Sequence, residues 1–281
     1  MQIIQTLEDT APEKIVEVFN ESFSDYIVPL SLTKEQLENK LKNDSIQLAF
    51  SPAAFEDDKL VAFILHGYDV VNKKNVIYNA GTGVIPSRRG NRLTRKLYDF
   101  ILPMLQSNDI NKIQLEVIAE NKPAIKTYQD IGFEMARELT CYKGSVNPGA
   151  AQSDFQIRSL LNYDWATLQS SWDWKPAWQN SITAVENLKH VNDSFGIYAN
   201  EILLGYIIFD PVSKRVQQFA VHKNHRRQGI GKQLFYHIAQ TFGKDISIIN
   251  VDDVSIETTE FLNSIGLEAY VKQFEMELQL K

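Results

Sequence analysis

The sequence predicts a mixed α/β protein built from two domains, and three observations carry this. The chain has 281 residues, more than a single small domain usually holds, and either half is long enough to bury its own core. Apolar and β-branched runs of strand length alternate with stretches whose apolar residues recur at helical spacing. The order of these elements in the first half returns in the second, an internal repeat with a period of about 135 residues.

Composition narrows the class. A hydrophobic fraction of 44% with 23% charged residues is ordinary for a folded globular chain, and no low-complexity tract interrupts it. The longest apolar runs, Leu60 to His66 and Ile202 to Phe209, are far shorter than the ~20 residues of a membrane helix. The N-terminal residues Met1 to Thr6 carry no basic region leading into a long apolar stretch, so a cytoplasmic location is expected. The lone Cys141 has no partner for an internal disulfide and is expected to be a buried, inert thiol. A net charge of −6 argues against nucleic acid as a partner, because the phosphate backbone rewards many cations on one face. The cations nevertheless form two islands, Arg88, Arg89, Arg92, Arg95 and Lys96, and Lys223, Arg226, Arg227 and Lys232.

In the first half, strands are predicted over Gln2–Leu7, Gln47–Phe55, Leu60–Val71, Val76–Val84, Lys112–Ile118 and Glu134–Tyr142. Between them, Asn91 to Gln106 sets Leu93, Leu97, Phe100, Ile101 and Met104 on one helical stripe. The second half repeats this with strands over Phe155–Ser159, Ser194–Ala199, Leu203–Phe209, Arg215–Val221, Ile246–Val251 and Ala269–Leu278. Ile230, Leu234, Ile238 and Phe242 form its matching stripe. The small, polar stretch from Gly144 to Gln152 holds two glycines and a proline and separates the halves. The expected domains are therefore 1–143 and 153–281, with 144–152 as linker.

Each basic island lies in a turn that leads from a strand into an amphipathic helix. In the second, Val221 is followed through His222 and His225 by Arg226, Arg227, Gln228, Gly229, Ile230, Gly231 and Lys232. Glycines at 229 and 231 let main chain approach an anion, and the helix N-terminus offers unpaired N–H groups and partial positive charge, a setting suited to a pyrophosphate. The spacing Arg226-x-x-Gly229-x-Gly231 after the strand end Phe219-Ala220-Val221 resembles the coenzyme A loop of the GNAT N-acetyltransferases. The first half holds a similar turn, Gly83-Val84-Ile85-Pro86-Ser87-Arg88-Arg89-Gly90-Asn91-Arg92-Leu93-Thr94, with Arg89 leading but Arg92 and Thr94 where the family prefers glycine and a small residue. We read this loop as modified rather than lost, its main-chain N–H groups still able to bind phosphate beside Arg92.

A second GNAT-like signature follows in the first half, from Leu115-Glu116-Val117 through Asn121 and Tyr128 to Ile131-Gly132-Phe133. The resemblance implies that Asn121 helps hold coenzyme A and that Tyr128 protonates the departing thiolate. In the second half, counting back from Gly266 puts Ser255 at the Asn position and Leu262 at the Tyr position. The resemblance covers nearly the whole chain. It implies two tandem GNAT-type domains, each a mostly antiparallel sheet with helices on both faces, and an N-acetyltransferase that moves the acetyl group of acetyl-coenzyme A to an amine by direct attack.

The carbonyl of the thioester is then expected against main chain near Gly83 and Val84, or Ala220 and Val221. Tyr128 is the expected acid, and Glu116 is a candidate base acting through water or a structural carboxylate. The resemblance also implies acceptor contacts from the first helices and their loop, where Phe19, Phe23, Asp25, Tyr26 and Pro29 stand in one half and all four tryptophans, Trp165, Trp172, Trp174 and Trp178, in the other. Phe23, Tyr26, Trp172 and Trp174 are the candidate substrate-binding residues; packing between the domains is the other role open to the tryptophans. The five histidines form no ligand pattern, so no metal is expected, and His222 and His225 are suited to phosphate. The leading reading has the first domain catalyse through Tyr128; its mirror puts catalysis in the second, and a coenzyme A-binding scaffold without turnover is the rival from another class. The acceptor is expected to be a small-molecule or peptide amine and the protein a monomer or homodimer, with no nucleic acid and no membrane as partner.

Overall fold

The computed structural model describes residues 1–26, 30–147 and 155–280. Pro29, and residues 148–152 of the expected linker, lie outside them. The chain forms two compact units, Met1–Ala136 with Phe274–Lys281, and Arg137–Gln273. This division differs from the expected one at both ends. Gly144 and Ser145, expected in the linker, continue a strand, and the last residues of the chain complete the first unit.

The first unit runs β1 (Gln2–Thr6), α1 (Pro12–Ser22), α2 (Lys34–Asn43), β2 (Pro52–Glu56), β3 (Lys59–Val71), β4 (Lys74–Val84), α3 (Leu93–Ser107), β5 (Lys112–Ile118) and α4 (Lys122–Ile131). Its strands lie in sequence order, antiparallel from β1 to β4 and parallel between β4 and β5. Alternation along β3 explains the layering, since successive side chains leave opposite faces of a strand. Phe63 and Leu65 pack with Ile15 and Phe19 of α1, whereas Ala62 and Ile64 pack with Leu97 and Ile101 of α3. Helices thus cover both faces.

The second unit holds β6 (Glu134–Ser145) from Arg137 on, β7 (Gln156–Ser159), α5 (Trp165–Ser170), α6 (Ile182–Asn187), β8 (Asp193–Ala199), β9 (Ile202–Asp210), β10 (Arg215–Val221), α7 (Ile230–Phe242), β11 (Asp245–Asp252), α8 (Ile256–Ser264) and β12 (Leu267–Gln279) up to Gln273. The strand order is β12-β6-β11-β10-β9-β8-β7. The same alternation recurs: Ile207 and Phe209 meet Leu234 and Ile238 of α7, while Tyr206 and Ile208 meet Leu168 and Val185 on the other face. Cys141 is buried as expected.

Two local expectations are corrected. The run Gln47–Phe55 is not one strand. Leu48–Phe50 forms a 3-10 turn, because the chain folds back at Ser51, whose carbonyl accepts from the Leu7 N–H at 2.8 Å. On α3 the buried stripe is Leu93, Leu97, Tyr98, Ile101 and Leu105, with Phe100 on the exposed side. The apolar pattern passes over Tyr98 because its hydroxyl reads as polar, yet that hydroxyl accepts a hydrogen bond from Asn79 Nδ2 at 2.9 Å.

His66 on β3 is fully buried, and its Nδ1–H donates to the Phe50 carbonyl at 2.8 Å. Burial lowers its pKa to about 4, so the unfolded chain binds the proton more readily than the native one. Stability contributed by the neutral ring is complete above the ordinary histidine pKa of about 6.5 and is lost as the pH falls from there toward 4. Unfolding by urea at pH 5 is expected to need about 2 kcal/mol less than at pH 7, and His66→Gln to remove most of that difference.

Candidate active site

The two units build one device twice. β4 and β5 pair only from Val76 to Asn79 on β4 and then diverge, and β10 and β11 pair only at Arg215 and Val216 before diverging. At the start of each fork the strand carries a one-residue bulge, Ala80 in β4 and Gln217 in β10. Beyond it, main-chain groups along one edge of the strand lack a neighbouring strand and face the gap. Each fork strand then leads through a 3-10 turn, Pro86–Arg88 or Lys223–His225, into α3 or α7.

The loops have equivalent backbones although their sequences differ. Two positions in each take left-handed backbone: Gly90 (φ 79°) and Arg92 (φ 56°) in the first, Arg227 (φ 60°) and Gly229 (φ 81°) in the second. Glycine and arginine have exchanged places. The altered first loop therefore retains its shape, with Arg92 absorbing strain that glycine avoids. Arg92→Gly is expected to raise the stability of the first unit by about 0.5–1 kcal/mol, the relieved strain exceeding the added chain entropy, as urea unfolding will show. Neither α3 nor α7 has a side chain capping its N-terminus, which leaves first-turn N–H groups for another acceptor.

In the second unit the fork opens into a cleft of about 630 Å³. Main chain and side chains from Gln217 to Val221 and from Ile248 to Val251 form its floor, the loop from His225 to Lys232 closes one end, and α8 contributes Glu257, Thr258, Glu260, Phe261 and Ser264. Trp172, Trp174, Pro176, Asn180 and Tyr206 form the remaining wall. Trp172 Nε1–H donates to Tyr206 Oη at 2.6 Å, Tyr206 donates to Gln218 Oε1 at 3.1 Å, and Gln218 Nε2–H donates to the Asn180 carbonyl at 2.6 Å. Burial pushes the Tyr206 hydroxyl well above its ordinary range, so it stays protonated through this chain. Trp165 instead donates to Glu186 at 2.7 Å, and Trp178 is buried.

A Cβ at Gly229 would meet nothing within 4 Å, so the loop is open on that side, and Arg227, Lys232 and His225 line the cleft with it. His222 is less free for phosphate, because its Nδ1 accepts the Asn224 N–H at 3.3 Å.

The first fork is furnished differently. Tyr128 of α4 is buried, its ring 5.6 Å from Phe133. Burial raises its pKa to about 12. Asn79 also donates to Thr82 Oγ1 at 2.8 Å. Glu116 accepts from the Tyr78 hydroxyl at 2.5 Å. Asn121 caps α4, its Oδ1 accepting the Ala124 N–H at 3.2 Å, and Ser255 stands at the corresponding start of α8. Phe23 is buried against Phe19, and Tyr26 meets the Phe23 ring edge-on at 5.1 Å. At the loop, Arg88 is held by Glu56 at 2.6 Å and Arg89 by Asp25 at 2.7 Å. Sequence reasoning missed Tyr206, Asn180 and Gln218, which lie on or near β9 and β10 without a motif to mark them.

A splayed strand pair, a bulge at the fork and an uncapped helix behind a basic loop form a setting suited to a phosphate-bearing ligand. The chain belongs to the acetyltransferase (GNAT) family, whose model matches residues 11–133 and 157–266. Members of that family use acetyl-coenzyme A. The mycothiol acetyltransferase of Brachybacterium faecium is 27% identical over 137 residues, a match spanning 47% of this chain and 41% of that protein, less than half of each. Among solved structures, a tandem GNAT protein from the clavulanic acid biosynthesis pathway superposes with a TM-score of 0.72 at 11% identity, over 100% of this chain and 99% of the other. A GCN5-related N-acetyltransferase from Sphaerobacter thermophilus gives 0.72 at 11% identity over 100% and 96%. At such identities the structures establish the fold. No helix among the described residues is long and apolar enough to cross a membrane, and no group of three or more metal-binding side chains occurs among them.

Proposed function

We propose that this protein is an N-acetyltransferase whose second unit holds acetyl-coenzyme A and catalyses direct transfer to a small-molecule or peptide amine. The observation that carries the assignment to the second unit is the cleft: one continuous space joins the glycine loop, the fork floor and the tryptophan wall. Main chain from Arg226 to Lys232 and the first turn of α7 would hold the phosphates, and the free edge of β10 from Gln217 to Val221 would hold the acyl carbonyl. Bound acetyl-coenzyme A supplies an activated thioester. Trp172 and Trp174 would line the acceptor's approach and exclude water. In the transfer a C–N bond forms, the C–S bond breaks, the amine loses a proton and the coenzyme departs as a thiol.

On this reading Tyr128 supports the first fork by packing of its buried ring. Tyr128→Phe is expected to keep turnover of acetyl-coenzyme A, followed by thiol release over a panel of amines, within about twofold, and to change stability by less than about 1 kcal/mol. A fall of about 100-fold or more, the range for loss of a general acid, would return catalysis to the first unit.

A further inference from the structure

The leading arginine of each loop makes the same set of contacts in both units. Arg89 Nε–H donates to the Val84 carbonyl at 3.3 Å, one Nη to the Ser22 carbonyl at 2.9 Å, and its two Nη groups to the Asp25 carboxylate at 2.7 Å each. Arg226 Nε–H donates to the Val221 carbonyl at 3.3 Å, and its Nη2 donates to the Ser171 carbonyl at 3.3 Å and to Asp173 at 2.9 Å. In each case one guanidinium joins the end of the fork strand to the segment that follows the unit's first helix. The fork geometry places that segment beside the loop, and the planar, multi-donor guanidinium spans the two where a lysine would not. The recurrence of three matching partners in two units with different loop sequences marks a constructed clamp rather than an isolated surface ion pair.

In the second unit the clamped segment carries the cleft wall. Asp173 lies between Trp172 and Trp174, and all three line the same cleft as Arg226 and the loop glycines Gly229 and Gly231. We propose that Arg226 is a positioning residue that couples occupation of the coenzyme loop to the placement of the Trp172–Trp174 wall, so that binding of the coenzyme sets the acceptor side of the site. The inference rests on the proposed acetyl-coenzyme A site in the second unit. Coupling of this kind is reciprocal: whatever the coenzyme does to the wall, an occupant of the wall does to the coenzyme.

All four tryptophans lie between residues 165 and 178, so intrinsic tryptophan fluorescence reports on this wall and its neighbourhood without knowledge of the acceptor. Free coenzyme A, which carries no acyl group to transfer, is titrated into wild type, Asp173→Asn and Asp173→Glu, with calorimetry on the same samples to establish occupancy. Expected is a saturable change of tryptophan emission in wild type, loss of at least two thirds of its amplitude in Asp173→Asn at matched saturation, and recovery of more than half in Asp173→Glu, which restores the carboxylate. The isosteric Asn at a partly exposed position leaves the fold intact, and its circular dichroism verifies this. A full-amplitude change in saturated Asp173→Asn would overturn the clamp, since direct contact between coenzyme and indole would then account for the signal. A calorimetrically silent wild type would instead refute the proposed coenzyme site itself, and the two failures are thereby separated.

Discussion

Gly229→Glu is expected to weaken acetyl-coenzyme A binding to the second unit by about 100-fold or more, and turnover with it. Two physical effects act together. Gly229 has φ 81°, a backbone conformation that costs a residue with a Cβ about 1–2 kcal/mol. The new carboxylate would stand at the N-terminus of α7, where it is itself attracted to the uncapped N–H groups and competes with the phosphates for them. Space is not the cause, because a Cβ there meets nothing within 4 Å; the fold is expected to survive. Calorimetric titration of wild type, Gly229→Glu and Arg92→Glu distinguishes the units. Loss of the site in Gly229→Glu with retention in Arg92→Glu supports the second unit as the acetyl-coenzyme A carrier, and the opposite pattern assigns it to the first.

The largest expected loss of stability comes from a position with no part in chemistry. Gly144→Ala is expected to destabilise the second unit by about 4 kcal/mol, a cost reached only when a substitution has no room to relax. A Cβ on Gly144 would lie 2.0 Å from the Gly266 carbonyl oxygen and 3.1 Å from the Leu267 Cα. These are main-chain atoms of the turn into β12, which cannot rotate away as a side-chain end would. Relief therefore requires β6 and that turn to separate. Urea unfolding followed by far-ultraviolet circular dichroism measures the loss, with Gly81→Ala, whose Cβ meets nothing within 4 Å, as a control expected to cost less than about 1 kcal/mol. Equal midpoints for the two variants would refute the close approach.

Much of this architecture was readable from the chain because it is written in local pattern. The β3 run is long and apolar because both faces of that strand are buried. The stripe of Ile230, Leu234 and Ile238 is helical in spacing because one side of α7 packs on the sheet. The loops were recognisable because an arginine and glycines at fixed offsets, between a strand and a helix, suit few arrangements besides an anion cradle. Even the exchange of glycine and arginine between the loops was visible as letters. That the two orders take equivalent backbones was not, since left-handed conformation in Arg92 and Arg227 follows from neighbours that hold the turn.

The sequence by itself determined the class of protein, its internal repeat and the two strand–loop–helix turns with their basic residues and glycines, because these depend on short-range spacing and intrinsic conformational preference. Tertiary structure alone decided which residues belong to each unit. The ladder, not chain order, returns Phe274–Lys281 to the first unit. It also decided how the two forks are furnished, since Tyr128 is buried against Phe133 in one while the other opens as a cleft along Gln217 to Val221. Arg89 finds Asp25 and Arg226 finds Asp173 across more than fifty residues of chain, a separation at which only the folded backbone, and no local rule, fixes which side chains come within hydrogen-bonding distance.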